Sequence, residues 1–171
     1  MNTDIGEYIV GAYLQIIKGC DLVCYNLRIS EGKLKGLNEL DVLGLDLKNK
    51  TAYLCEVTTH IKGLLYKNNN QTIKKIKDKY NFQKKYANKC LPKYFKKEYM
   101  FWSPVVPKGK LTKVFNKNKK FNGLKFVINE KYTECINELR EKAKELSNDT
   151  GNTAFRLLQI IEHLKNKQLE K

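Results

Sequence analysis

The sequence predicts an α/β fold in a single domain, and three observations carry that reading. Segments with helical period alternate along the chain with short β-rich runs. Two of those runs, "NELDVLGLDL" and "TAYLCEVTTH", are joined by the polar turn "KNK", the pattern of a hairpin. The chain has 171 residues, 42% of them hydrophobic and only three of them proline, which suits one sizeable core.

Each element has a local reason. "DIGEYIVGAYLQIIKG" is an amphipathic helix: Ile5, Ile9, Ala12, Leu14 and Ile16 recur near helical spacing, Asp4 caps the start and Gly19 ends it. "DLVCYNLRIS" is a strand and "EGKLKG" a loop. After the hairpin, "KGLLYKNNN" leads into the helix "QTIKKIKDKYNFQKKYANK", whose apolar face is marked by Ile73, Ile76, Tyr80 and Ala87. "YFKKEYMFWSPVV" is a strand ended by Pro104 and Pro107, "KLTKVFNK" a short helix and "GLKFVIN" a fifth strand. "EKYTECINELREKAKEL" and "NTAFRLLQIIEHLKNK" close the chain as helices, the second capped by Asn152. There is no repeat, no low-complexity tract and no interdomain linker, so residues 1–171 form one domain.

The formal net charge is +15, and it is concentrated. Residues 62–120 hold 18 lysines against Asp78 and Glu98 alone, whereas the flanking thirds are close to neutral. Such a block is an electrostatic footprint for a polyanion, most commonly nucleic acid; the plainer alternative is a solvated lysine face. No run approaches the ~20 apolar residues of a membrane span. The start "MNTDIGEYIV" lacks the basic and apolar blocks of a signal peptide. Five scattered cysteines with no CxxC pair fit reduced thiols better than disulfides or zinc. The expectation is a cytoplasmic chain with no membrane partner.

Against that charge, Asp41 and Glu56 stand in the middle of the two apolar hairpin runs with no basic neighbour. An isolated buried carboxylate shifts its pKa, finds a partner or binds a metal. Strand alternation puts Glu56, Thr58 and His60 on one face, opposite Tyr53, Cys55 and Val57. It likewise puts Glu39 and Asp41 opposite Leu40 and Val42. Paired strands bring Asp41 and Glu56 to one spot, where a hard divalent cation is a natural occupant and a buried salt bridge the plainer alternative. "PKGKLTK" has one glycine and no Walker spacing, so it is not a phosphate loop.

The arrangement resembles the PD-(D/E)XK nuclease superfamily, through Glu7 in "IGEYIVGAYL", Asp41 in "NELDVLG" and Glu56-Val57-Thr58 in "YLCEVTT". The resemblance covers residues 1 to about 105 and implies a restriction-endonuclease-like αβββαβ core, with a mixed central sheet flanked by helices; residues 106–171 add a strand and C-terminal helices. It implies Mg²⁺, with Mn²⁺ as a substitute, held by Asp41, Glu56 and the Val57 carbonyl, with Glu7 supporting a second metal or its waters. The residue before Asp41 is Leu40 where the superfamily commonly has proline, and the lysine of the motif is replaced by Thr58. Superfamily members whose lysine has moved to the following helix make Lys77 the substitute expected here, with Lys62 and Lys84 behind it; otherwise Lys77 is a snorkelling lysine at the edge of the apolar stripe. Glu7 is, in the plainer reading, a first-turn acid.

The implied activity is Mg²⁺-dependent hydrolysis of DNA by an endonuclease of restriction, repair or mobile-element type, as a homodimer or within a larger nuclease complex. Lys62, Lys67, Lys74, Lys75, Lys84 and Lys85 are the expected backbone contacts. Tyr80, Tyr86, Tyr94, Tyr99, Phe101 and Trp102 interleave with the lysines, and their helix and strand positions assign most of them to the core. The alternatives are an inactive nucleic-acid-binding module on the same fold, marked by the lost lysine, or a basic RNA-associated protein.

Overall fold

Helical period and strand alternation resolve into ten elements in a computed structural model, which describes residues 3–29, 39–117 and 121–169. They are α1 (Ile5–Ile16), β1 (Leu22–Arg28), β2 (Glu39–Asp46), β3 (Thr51–Val57), α2 (Asn69–Cys90), β4 (Lys96–Ser103), α3 (Lys110–Lys117), β5 (Leu124–Ile128), α4 (Glu130–Glu145) and α5 (Thr153–Leu169). This is the order the sequence predicts. The loop "EGKLKG" lies outside the described residues. The predicted second hairpin strand is shortened: β3 ends at Val57, so alternation does not extend to Thr58 and His60.

The starts of the helices follow their caps. Asp4 accepts from Gly6 N–H at 2.8 Å and forms a capping box with Glu7, which accepts from Asp4 N–H at 3.3 Å. Asn68 caps α2 through Gln71 N–H at 3.0 Å, and Asn152 caps α5 through Phe155 N–H at 3.1 Å.

The sheet is open and mixed, in the order β1-β2-β3-β4-β5. β1, β2 and β3 form an antiparallel meander. β4 and β5 then join in parallel, each after a crossover helix, α2 and α3 respectively. Both faces are covered, because the central strands are apolar on both sides. Val10 and Leu14 of α1 and Cys135 of α4 pack with Val42, Cys55 and Trp102 on one face. On the other, Ile76 and Tyr80 of α2 and Leu111 and Phe115 of α3 pack with Phe101 and Leu124. α5 lies outside the sheet, with Ala154 and Phe155 against Ala12 of α1 and Leu139 of α4. Arg140 ties α4 to the buried Glu162 of α5 at 2.8 Å.

Gln83 fixes α2 on the sheet. It is fully buried, and its Nε2 donates to the Leu54 and Met100 carbonyls at 3.0 Å each, so one amide spans the β3–β4 pair. On the opposite face α1 approaches the exit of β3 so closely that a Cβ on Gly6 would overlap Thr59 Cγ2 and crowd Val57. Thr59 Oγ1 meanwhile donates to Asp4 Oδ1 at 3.0 Å. Gly6→Ala is therefore expected to cost about 1–3 kcal/mol of stability in urea unfolding, as overpacking does. Thr59→Ser, which removes only the clashing methyl and keeps the hydroxyl, should recover most of that loss in the double variant.

Candidate active site

The site forms where the β2–β3 ladder stops. Backbone pairing of these strands ends at Val42 opposite Cys55. Beyond that pair, Val57 N–H donates to the Asp41 side chain, Oδ2, at 2.7 Å. A carboxylate has taken the place of a backbone acceptor, so a donor that burial would orphan is satisfied. On the other side of β2, Tyr25 pairs with Val42 and Leu27 with Leu40, and Asn26 between them has a φ of 53°. Alternation breaks here, which corrects the predicted faces. Leu40 joins Leu43, Leu54 and Phe82 under α2, while Val42 stays on the α1 side.

Glu56, on the last turn of the β3 pleat, is 1% exposed. Asp41 and Glu56 do converge, and what lies between them is the ammonium of Lys79. Its Nζ hydrogen-bonds Glu56 Oε2 and lies 3.4 Å from Asp41 Oδ2. Lys79 is one helical turn before Gln83, on the face of α2 that Gln83 holds against the sheet. Lys77, the lysine expected here, is exposed on the solvent side of the helix. The correction has a simple cause. The buried face runs through Ile76, Tyr80, Gln83, Tyr86 and Ala87, an arc that contains Lys79, between Gln83 and Tyr86, and leaves Lys77 outside it, about 100° from Ile76. The polar Gln83 is the signal that an apolar count passes over.

The electrostatics are those of a crowded acid cluster. Burial pushes the Glu56 carboxyl well above its usual range, opposed by Lys79 and reinforced by Asp41. Burial alone would lower Lys79, but the carboxylates of Glu56 and Asp41 more than reverse it, so the lysine keeps its proton. Glu7, reaching the same region from the first turn of α1, is raised to about 7 by burial and then by the charge of Asp41. Glu56 Oε1 is buried without a hydrogen-bond partner.

The remaining predicted residues are more dispersed. Thr58 follows the strand, with its N–H on the Trp102 carbonyl at 3.0 Å. Lys62, Lys67, Lys74 and Lys85 are exposed, whereas Lys75 and Lys84 lie over the rings of Tyr66 and Tyr80, at 3.9 and 4.3 Å from the centroids. Tyr80, Tyr86, Phe101 and Trp102 are core residues. All five cysteines are free. Among the described residues no three His, Cys, Asp or Glu side chains come together as a metal set, and no helix is long and apolar enough to cross a membrane.

Comparison with protein-family models, with curated proteins and with solved structures finds no match.

Two outcomes follow from the ion cluster. Lys79→Met leaves two carboxylates without their cation and should destabilise the fold by about 3 kcal/mol in urea, whereas Lys77→Met should stay within about 0.5 kcal/mol. For Glu7, a folded pKa of about 7 against an ordinary 4.5 means that the folded state binds the proton more tightly. Its contribution is therefore fully present below the ordinary value and is lost as pH rises through the folded one. Glu7→Gln, which keeps the capping box, should raise Tm relative to wild type by an amount that grows from pH 5 to pH 8.

Proposed function

We propose that this chain is a divalent-metal-dependent endodeoxyribonuclease on a restriction-endonuclease-like core. The observation that carries the proposal is the meeting of Asp41 and Glu56 on one lysine at the end of β3, with a buried carboxylate oxygen left over. The order of the first six elements, αβββαβ, and the lysine-rich middle third support it.

The donor set fits a hard cation. Asp41 and Glu56 would hold it, with the Val57 carbonyl as the oxygen the resemblance adds. Two carboxylates are what Mg²⁺ commonly takes from protein, with water and substrate phosphate completing its shell. When bound, such an ion neutralises phosphate charge and acidifies water. The chain's own residues do the rest. Lys79, not Lys77, is the cation placed to face a non-bridging phosphate oxygen or orient the attacking water, the role that Thr58 leaves vacant. Glu7, raised to about 7, would take up a proton as water attacks phosphorus and the P–O bond to the leaving oxygen breaks. The exposed Lys62, Lys67, Lys74 and Lys85 would hold the phosphate backbone, which gives salt-sensitive affinity and not sequence choice. Cutting both strands calls for two such sites, and a homodimer supplies them.

A second reading is favoured by one observation: Lys79 already bridges the two carboxylates, as it would in a structural ion triad. The chain would then bind nucleic acid without cutting it. Incubation of supercoiled plasmid with Mg²⁺ or Mn²⁺ separates the two. The nuclease reading expects nicking that is abolished in Asp41→Ala and Glu56→Ala, falls by about 100-fold or more in Lys79→Ala and is unchanged in Lys77→Ala. Binding without cutting at every metal concentration transfers the chain to the second reading.

A further inference from the structure

Between β3 and α2 the chain turns outward beside the carboxylate cluster, and the tip of that turn sets an exposed isoleucine beside an exposed lysine. Gly63 N–H donates to the His60 carbonyl at 3.0 Å, which closes a turn with Ile61 and Lys62 at its corners and Gly63 at a φ of 107°. Ile61 is 81% exposed and Leu65 51%. The turn is held at both ends: Thr58 N–H bonds the Trp102 carbonyl at 3.0 Å, and Leu64, itself fully buried, bonds the Val105 carbonyl at 2.9 Å. Tyr66 is fixed by its N–H on Thr72 Oγ1 at 2.9 Å. Its ring meets His60 edge-on at 5.6 Å, and Lys75 Nζ covers one face at 3.9 Å. The turn leaves β3 at Val57, which directly follows Glu56 and whose N–H is held by Asp41, so it starts at the carboxylate cluster.

The surroundings define the chemistry of a partner. From Val57 to Lys77 there is no acidic residue, and Lys62, Lys67, Lys74, Lys75 and Lys77 are all basic. That charge is complementary to a polyanion. A phosphate grip alone needs only the lysines. An isoleucine held out in water on an anchored turn, and a tyrosine and a histidine in edge-on contact at the two ends of the same segment, match the apolar wedges and aromatic platforms that engage bases which have left the stack.

We propose that the His60–Tyr66 turn contacts an unstacked nucleotide beside the target phosphate, so that the preferred substrate is nucleic acid with unpaired bases, such as a bubble, gap or branch, and not continuous duplex. The proposal rests on the nucleic-acid part of the function proposed above and not on cleavage. Ile61 and Leu65 enter against the exposed base and Tyr66 and His60 form the platform, while Lys62 and Lys75 meet the flanking phosphates.

The test is binding by the full chain in EDTA, measured by fluorescence anisotropy on a short DNA duplex and on the same duplex with a central bubble carrying 2-aminopurine. Wild type is expected to bind the bubble roughly tenfold more tightly, the factor that about 1.4 kcal/mol of base stacking supplies, and to change the 2-aminopurine fluorescence. Ile61→Ser and Tyr66→Leu should lose both effects and keep the affinity for continuous duplex, whereas Lys74→Ala weakens both DNAs alike. Because Ile61 is so exposed, Ile61→Ser does not depend on a rescued fold. Equal affinity of wild type for the two DNAs overturns the proposal, as does a preference that survives Ile61→Ser. Failure to bind either DNA removes it together with the nucleic-acid reading. A preference lost in the variants supports it even if no metal makes the chain cut, and in that case only the nuclease proposal falls.

Discussion

The ammonium of Lys79 lies between two carboxylates that the strands alone would hold together against their own repulsion, and much of the architecture serves to put it there. Asp41 fills the gap where the β2–β3 ladder opens, because Val57 N–H needs an acceptor. Glu56 points into the same space from beneath α2, where water is nearly excluded. Neither position is tolerable without a cation, since a buried carboxylate without a partner costs several kcal/mol. α2 supplies that cation only in one rotational setting, and Gln83 enforces it by bonding carbonyls of both β3 and β4. Helix phase, strand pairing and charge balance are thus one constraint seen from three sides.

That constraint explains which parts of the molecule were legible from residues alone. Element order was legible because caps, turns and periodicity agree along the chain, from the Asp4 capping box to Asn152. Asp41 and Glu56 were legible because charge inside an apolar strand is conspicuous. The lysine was not. Ile73, Ile76, Tyr80 and Ala87 define a stripe wide enough to admit either Lys77 or Lys79, and only the buried amide of Gln83 chooses between them. The face of Leu40 was hidden for another reason. Strict alternation assumes an unbroken ladder, and here the ladder yields to a side chain.

The lysine-rich third of the chain also divides into parts that composition does not distinguish. Lys79 turns inward and is neutralised. Lys75 and Lys84 lie over tyrosine rings, which lends their charge a fixed position. Lys96, with Lys125 of the neighbouring strand, closes on Glu98. The exposed lysines around the entrance to α2 keep their long-range field. A uniform basic face would attract a polyanion without orienting it; a face with some charges fixed and others free also favours one direction of approach.

The span of α2 between β3 and β4 has a kinetic consequence. The meander of β1, β2 and β3 is made of contacts near in sequence and needs no later part of the chain. β4 pairs with β3 only after 22 helical residues have been laid across the sheet, and Gln83 cannot complete its two bonds until both strands are present. An early hairpin therefore carries Asp41 and Glu56 face to face before any lysine arrives, and at neutral pH their repulsion works against its closure. Docking of the helix relieves that repulsion in the same step that pairs the parallel strands. The acids thus belong to the local meander, whereas their cation and the amide that sets it belong to the helix whose crossover makes the long-range pairing.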